Sequence, residues 1–128
     1  LVLGKWFGVQ ATSPQPNVLE QVVALTEHPA FEWKNPNKFR ALIGAFAMAN
    51  PVGFHRADGG GYRFFTDWLI QLDPVNPQTT AKLTGAFESW RRYDNARQSM
   101  MTTELRRLQN TEGLSKDTSE MVGRLLGG

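Results

Sequence analysis

The sequence predicts an all-α domain, a superhelix of stacked antiparallel helix pairs of the HEAT or armadillo kind. Three observations carry that reading. Apolar residues recur with helical period along the chain, and no run alternates with period two. Asn-Pro occurs three times, at Asn35-Pro36, Asn50-Pro51 and Asn76-Pro77, and the pair suits a helix start. Asn35 and Asn76 stand 41 residues apart, about the length of one helix-pair repeat. No low-complexity linker interrupts the pattern, so residues 1–128 read as a single all-helical domain.

The elements follow in chain order. The opening LVLGKWFGVQ reads as the middle or end of a helix with no cap before it, and the chain is expected to be cut from something longer. Residues 12–17 form a proline-containing loop whose Asn17 is placed to cap the next helix. Val18, Val22 and Leu25 mark that helix, and His28-Pro29 is expected to end it, with His28 at its C-terminal end.

Asn35-Pro36 then starts a helix with Phe39, Leu42, Ile43 and Phe46 at i, i+3, i+4 and i+7. Asn supplies a side-chain oxygen for an orphan N–H, and Pro at the next position has no N–H to leave unmade. Pro51 stops this helix and begins another.

The run Asp58-Gly59-Gly60-Gly61 predicts a flexible turn. Phe65, Trp68, Leu69 and Leu72 form the following stripe, which Asp73-Pro74 terminates. Asn76-Pro77 opens a helix carrying Leu83, Phe87 and Trp90. Asp94-Asn95 breaks or caps before Met101, Leu105 and Leu108. Glu112-Gly113 ends that helix, and Ser115 caps the last one, along which Met121, Val122, Leu125 and Leu126 lie. Six or seven helices are expected.

Composition excludes several classes of function. There is no cysteine, hence no disulfide framework and no thiolate metal site. No apolar run is long enough for a membrane span, no signal-peptide pattern opens the chain, and the lack of cysteine is compatible with the expected cytoplasmic home. The net charge of +2 gives little electrostatic steering.

The two histidines, His28 and His55, form no HExxH, and no zinc site is expected inside this chain. GGGY at positions 59–62 lacks the Lys-Ser/Thr of a phosphate loop and reads as a turn. GxSxG is absent, and the carboxylates are scattered rather than paired for acid–base work. Arg91, Arg92, Arg97, Arg106 and Arg107 form a basic cluster, but Glu88, Asp94, Glu104 and Glu112 interleave with it. Glu88 sits four residues before Arg92, an ion-pair spacing on a helix, so paired or solvated arginines are expected rather than a nucleic-acid surface. Trp33, Trp68 and Trp90 read as core.

The residues alone thus describe a helical domain without catalytic equipment. The stretches NPNKFRALIGAFAMANPVGFHRADGGGY, NPQTTAKL and RRYDNARQ, together with KWFGVQATSPQPNVLE, resemble the C-terminal domain of bacterial aminopeptidase N. These are zinc-dependent alanyl aminopeptidases of the gluzincin group, and the resemblance runs from about Leu3 to Leu126.

The resemblance implies that the zinc ligands, the HExxH general base and the GxMEN motif belong to an upstream catalytic domain. Gly128 would stand at or near the end of the parent chain. The helical domain would close over the catalytic domain and shape a chamber that admits peptides and excludes folded proteins. It also implies no zinc or other cofactor in this part, no catalytic residue in it, and no membrane or nucleic-acid partner. The parent would remove N-terminal amino acids from peptides, a role in peptide catabolism, with a preference for basic or small apolar first residues.

By the same resemblance, three side chains would contact peptide: Arg40, the last residue of NPNxxR; Gln78, of NPQ; and Lys82, where the family usually has Arg. Lysine keeps the charge but loses the planar fork that grips a carboxylate at two points. Gln78 and Lys82 are four apart, so one helix face presents both. For Arg40 a structural ion pair is the plain alternative. For the chain as a whole the alternative is a free-standing helical-repeat module that binds a protein, a peptide or nucleic acid.

Overall fold

The computed structural model describes residues 2–127 apart from Pro14 and Pro16, and within it the side chains of residues 2–5 are left undescribed. The expectations that fall on Pro14, Pro16 and Gly128 lie outside the described residues. The chain divides into two compact units, Leu1–Arg56 and Ala57–Gly128. Among the described residues every regular element is helical, which agrees with the all-α class expected from the period.

The first unit contains α1 (Val2–Ala11), α2 (Val18–Leu25), α3 (Pro36–Phe39), a π turn (Arg40–Gly44), α4 (Ala45–Ala49) and α5 (Pro51–Phe54). The Asn35 side chain accepts from the N–H groups of Asn37 and Lys38, so the first Asn-Pro is a true cap. Phe39, Leu42, Ile43 and Phe46 are all fully buried, as their spacing predicts. Each such side chain contributes about 1.5–3 kcal/mol by leaving water.

The helix through this stripe is not uniform. At Arg40–Gly44 the backbone widens into the π turn, and the turn packs against α1. Asn50 caps α5 by accepting from Gly53 N–H, while its amide donates to the carbonyls of Ala11 (2.7 Å) and Ser13 (2.9 Å). Gly53 has no room for a side chain, since a Cβ there would lie 2.5 Å from a Phe46 ring carbon and 2.7 Å from a Val18 methyl.

Two details of this unit differ from expectation. Asn17 precedes α2 but makes no cap, because its side-chain oxygen instead accepts from the Gln21 amide. Helix α2 ends at Leu25, before His28, as the Thr26 hydroxyl takes the Val23 carbonyl. His28 Nδ1 then accepts from Ala30 N–H and fixes the turn beyond the helix.

The second unit contains α6 (Gly60–Leu72), α7 (Pro77–Thr84), 3-10 turns at Gly85–Phe87 and Trp90–Arg92, α8 (Asn95–Gln109) and α9 (Lys116–Gly127). Helix α9 packs on α7 and α8, and α6 packs on α8 and α7. Within the glycine run only Gly59 takes a left-handed conformation (φ 75°), and Gly60 and Gly61 already belong to α6. Asp58 completes the turn by accepting from Gly60 N–H.

Asn76, Asp94 and Ser115 cap α7, α8 and α9 respectively, accepting from Thr79, Arg97 and Thr118 N–H. The Arg97 guanidinium also bonds the Asp94 side chain and holds its carboxyl below the usual carboxylate range. Helix α6 stops after Leu72, as Asp73-Pro74 requires.

The stripe Leu83, Phe87, Trp90 does not lie on one α-helix, because the chain tightens into 3-10 turns after Thr84. That break removes the i, i+4 relation of Glu88 to Arg92, and no ion pair joins them. Within the basic cluster, Arg97 pairs with Asp94, and Arg107 with both Asp67 and Glu104.

The tryptophans are less buried than expected. Trp33, Trp68 and Trp90 are half-buried, and Trp90 uses its indole N–H on the Leu125 carbonyl, 2.9 Å away. Of the last stripe only Val122 is fully enclosed.

Candidate functional site

Arg40 belongs to the first unit, and Gln78 and Lys82 belong to the second. Each set is therefore built from its own surroundings.

Arg40 is the first residue of the π turn, directly after α3. Its backbone carbonyl accepts from Ala45 N–H, five residues on, which is the bond that makes the turn wide. Leu42 and Ile43 in the same turn are buried, while the Arg40 side chain is exposed. Its Nη2 donates to Asn37 Oδ1 at 2.8 Å. Among the described residues no carboxylate pairs with Arg40, so the structural ion pair weighed above is not formed. The charge remains available to a solute.

Helix α7 divides cleanly into two faces. Thr79, Thr80, Leu83 and Thr84 are buried, and the hydroxyls of Thr80 and Thr84 are satisfied by the carbonyls of Asn76 and Thr80. Gln78 and Lys82 lie on the other face, both exposed. Among the described residues neither side chain has a hydrogen-bond or ion-pair partner. Asn76 fixes the start of this helix through Thr79 N–H, so the backbone beneath Gln78 is held while its amide is free to turn.

Chemically, the two surfaces offer two cations and one amide on fixed backbones. They can bind anionic or hydrogen-bonding groups such as peptide carbonyls and carboxylates. Among the described residues no three His, Asp or Glu side chains gather to hold a metal ion. This donor set does not fit a zinc centre. Nor is any described helix long and apolar enough to cross a membrane.

Asn37 was not singled out by the sequence pattern, although an Asn three residues before an Arg on one helical turn is a legible signal of side-chain contact. The π turn had no such signal, since its apolar residues keep the ordinary i, i+3, i+4 spacing.

Comparison with known proteins agrees with this architecture. Residues 1–127 match the family described as "Domain of unknown function (DUF3458_C) ARM repeats". The chain is 44% identical over 127 residues to aminopeptidase N of Caulobacter vibrioides, covering 99% of this chain and 15% of that protein. It is 46% identical to aminopeptidase N of Haemophilus influenzae, covering 98% of this chain and 14% of the relative. A crystal structure of Legionella pneumophila aminopeptidase A in complex with aspartic acid superposes with a TM-score of 0.90 at 39% identity, over 98% of this chain and 14% of that one. The chain thus spans about one seventh of the length of these relatives.

Proposed function

Because the chain belongs to the DUF3458_C family of ARM-repeat domains and corresponds to the C-terminal helical domain of aminopeptidase N, we propose that it forms part of the wall of a peptidase chamber. The parent enzyme removes N-terminal residues from peptides in the cytoplasm, using a zinc ion held by its upstream catalytic domain. This chain excludes folded proteins from the chamber and contacts the peptide through Arg40, Gln78 and Lys82. By itself it is inactive.

The observation that carries the reading is the state of those three residues. Their backbones are held by caps and buried neighbours, yet their polar heads are exposed and pair with no carboxylate among the described residues.

The test is a kinetic comparison in the full-length enzyme. Alanine at Arg40, Gln78 and Lys82 together is expected to raise KM for tetrapeptides about tenfold while kcat changes little, the signature of lost uniform binding. Unchanged peptide kinetics would remove these residues from the substrate path.

A further inference from the structure

We infer that Asn37 is a positioning residue that presets the Arg40 guanidinium for substrate, an inference that rests on the reading of Arg40 as a peptide contact.

The motif Asn-Pro-Asn-x-x-Arg runs from Asn35 to Arg40. Its first Asn is spent on the backbone, since Asn35 Oδ1 accepts from Asn37 N–H at 3.0 Å and from Lys38 N–H at 3.3 Å. Lys38 is in turn tied to Glu32 at 2.6 Å, so the first turn of α3 is held from two sides. On that fixed turn the second Asn points its oxygen at Arg40 Nη2, 2.8 Å away. The π turn then fixes the Arg40 backbone from the other side, through Ala45 N–H.

One guanidinium N–H is thereby committed and four remain, in a plane whose direction Asn37 sets. Arginine carries about 2 kcal/mol of rotamer entropy, and a preset fork loses less of it when a ligand arrives. Asn37 offers a neutral acceptor rather than a carboxylate. It orients the cation without neutralising it, so the charge is left for the incoming group.

The third Asn-Pro supplies an internal contrast. Gln78 follows Asn76-Pro77 as Asn37 follows Asn35-Pro36, yet neither Gln78 nor Lys82 has a side-chain partner among the described residues. The cap is shared by both sites, and the side-chain brace belongs to the arginine alone. The Asn-Pro pairs at Asn50 and Asn76 show that capping needs no second Asn, so the cap does not account for Asn37.

The experiment uses the full-length enzyme with Asn37→Ala, Asn37→Asp, Arg40→Ala and the double variant Asn37→Ala/Arg40→Ala. Substrates are an alanine tetrapeptide and alanine p-nitroanilide, which lacks the peptide beyond the first residue. For Asn37→Ala the ratio of kcat/KM for peptide over anilide is expected to fall about fivefold, through KM. Asn37→Asp keeps the acceptor oxygen but sets a carboxylate against the cation, so the ratio is expected to stay low, and a full return would refute the need for a neutral acceptor. Adding Asn37→Ala to Arg40→Ala is expected to change nothing further. If Arg40→Ala lowers the ratio and Asn37→Ala does not, positioning is refuted while the Arg40 contact stands. If Asn37→Ala lowers both substrates equally, its role is in folding, and the inference again fails. If Arg40→Ala leaves the ratio unchanged, the substrate reading of Arg40 falls and this inference with it.

Discussion

Asp73 and Thr118, 45 residues apart in sequence, are joined by a 2.6 Å hydrogen bond in which the threonine hydroxyl donates to the carboxylate. Both are buried. The same carboxylate accepts from the Ser115 N–H and hydroxyl, each at 2.7 Å, so the end of α6 is fastened to the start of α9. Asp73→Ala would leave a buried hydroxyl and a backbone N–H without their acceptor. It is expected to cost about 2–4 kcal/mol in urea unfolding of the purified protein, and Thr118→Val about 1 kcal/mol. Equal losses from the two variants would mean that the carboxylate does not organise this junction.

The three Asn-Pro caps are expected to differ in worth. Asn35 and Asn76 use only their oxygens on the backbone, and alanine at either should cost about 1 kcal/mol. Asn50 is 2% exposed and also donates to Ala11 and Ser13. Asn50→Ala is expected to cost about 2–4 kcal/mol, and Asn50→Asp to be no better, since a carboxylate would face two carbonyl oxygens. The ordering is read from the three denaturation midpoints.

Thr66 on α6 is fully buried, and its hydroxyl has no partner among the described residues. Replacing that hydroxyl with a methyl group removes an unmet donor at nearly constant volume. Thr66→Val is expected to be neutral or to stabilise by up to about 1 kcal/mol, seen as a raised melting temperature. A loss above that size would reveal a bound water at the hydroxyl.

Alkaline pH should weaken the second unit through Tyr62. Burial raises its pKa to about 12, partly opposed by the nearby Arg97 charge. The unfolded phenol ionises near its ordinary value, about 10. Above that pH the unfolded chain binds fewer protons than the folded one, so stability falls as pH rises from about 10 towards 12. The loss should reach about 1–2 kcal/mol. Unfolding curves at the two ends of that window check it, and Tyr62→Phe is expected to flatten the decline.

Lys82→Arg tests the chemistry of the α7 surface in the full-length enzyme. A guanidinium can meet a carboxylate at two points where the ammonium meets it at one. KM for peptides with a free C-terminal carboxylate is expected to fall about threefold, and KM for the amidated peptides to stay put. An equal change in both would assign Lys82 to backbone carbonyls instead.

Much of the helical framework was legible because its causes are local. An Asn-Pro pair needs only the N–H groups of the next turn, and all three pairs cap as the residue chemistry requires. Asp94 and Ser115 were readable for the same reason. Of the candidate site, the resemblance supplied Arg40, Gln78 and Lys82, and spacing placed the last two on one face. That Arg40 pairs with Asn37 rather than with a carboxylate was not readable, since both answers suit an exposed helical arginine.

The sequence by itself determined the all-α class, the caps at Asn35, Asn50, Asn76, Asp94 and Ser115, the buried stripe from Phe39 to Phe46 and the likeness to the aminopeptidase N C-terminal domain. Tertiary structure alone decided the π turn at Arg40–Gly44 and the tightening after Thr84. It also decided the uses found for Asp73, the Asn50 amide and the Trp90 indole. The division has one physical cause. Capping and helical period depend on atoms within a turn or two of each other. A π turn packed on α1, or a carboxylate shared with a helix start some forty residues away, depends on neighbours that only the folded chain assembles.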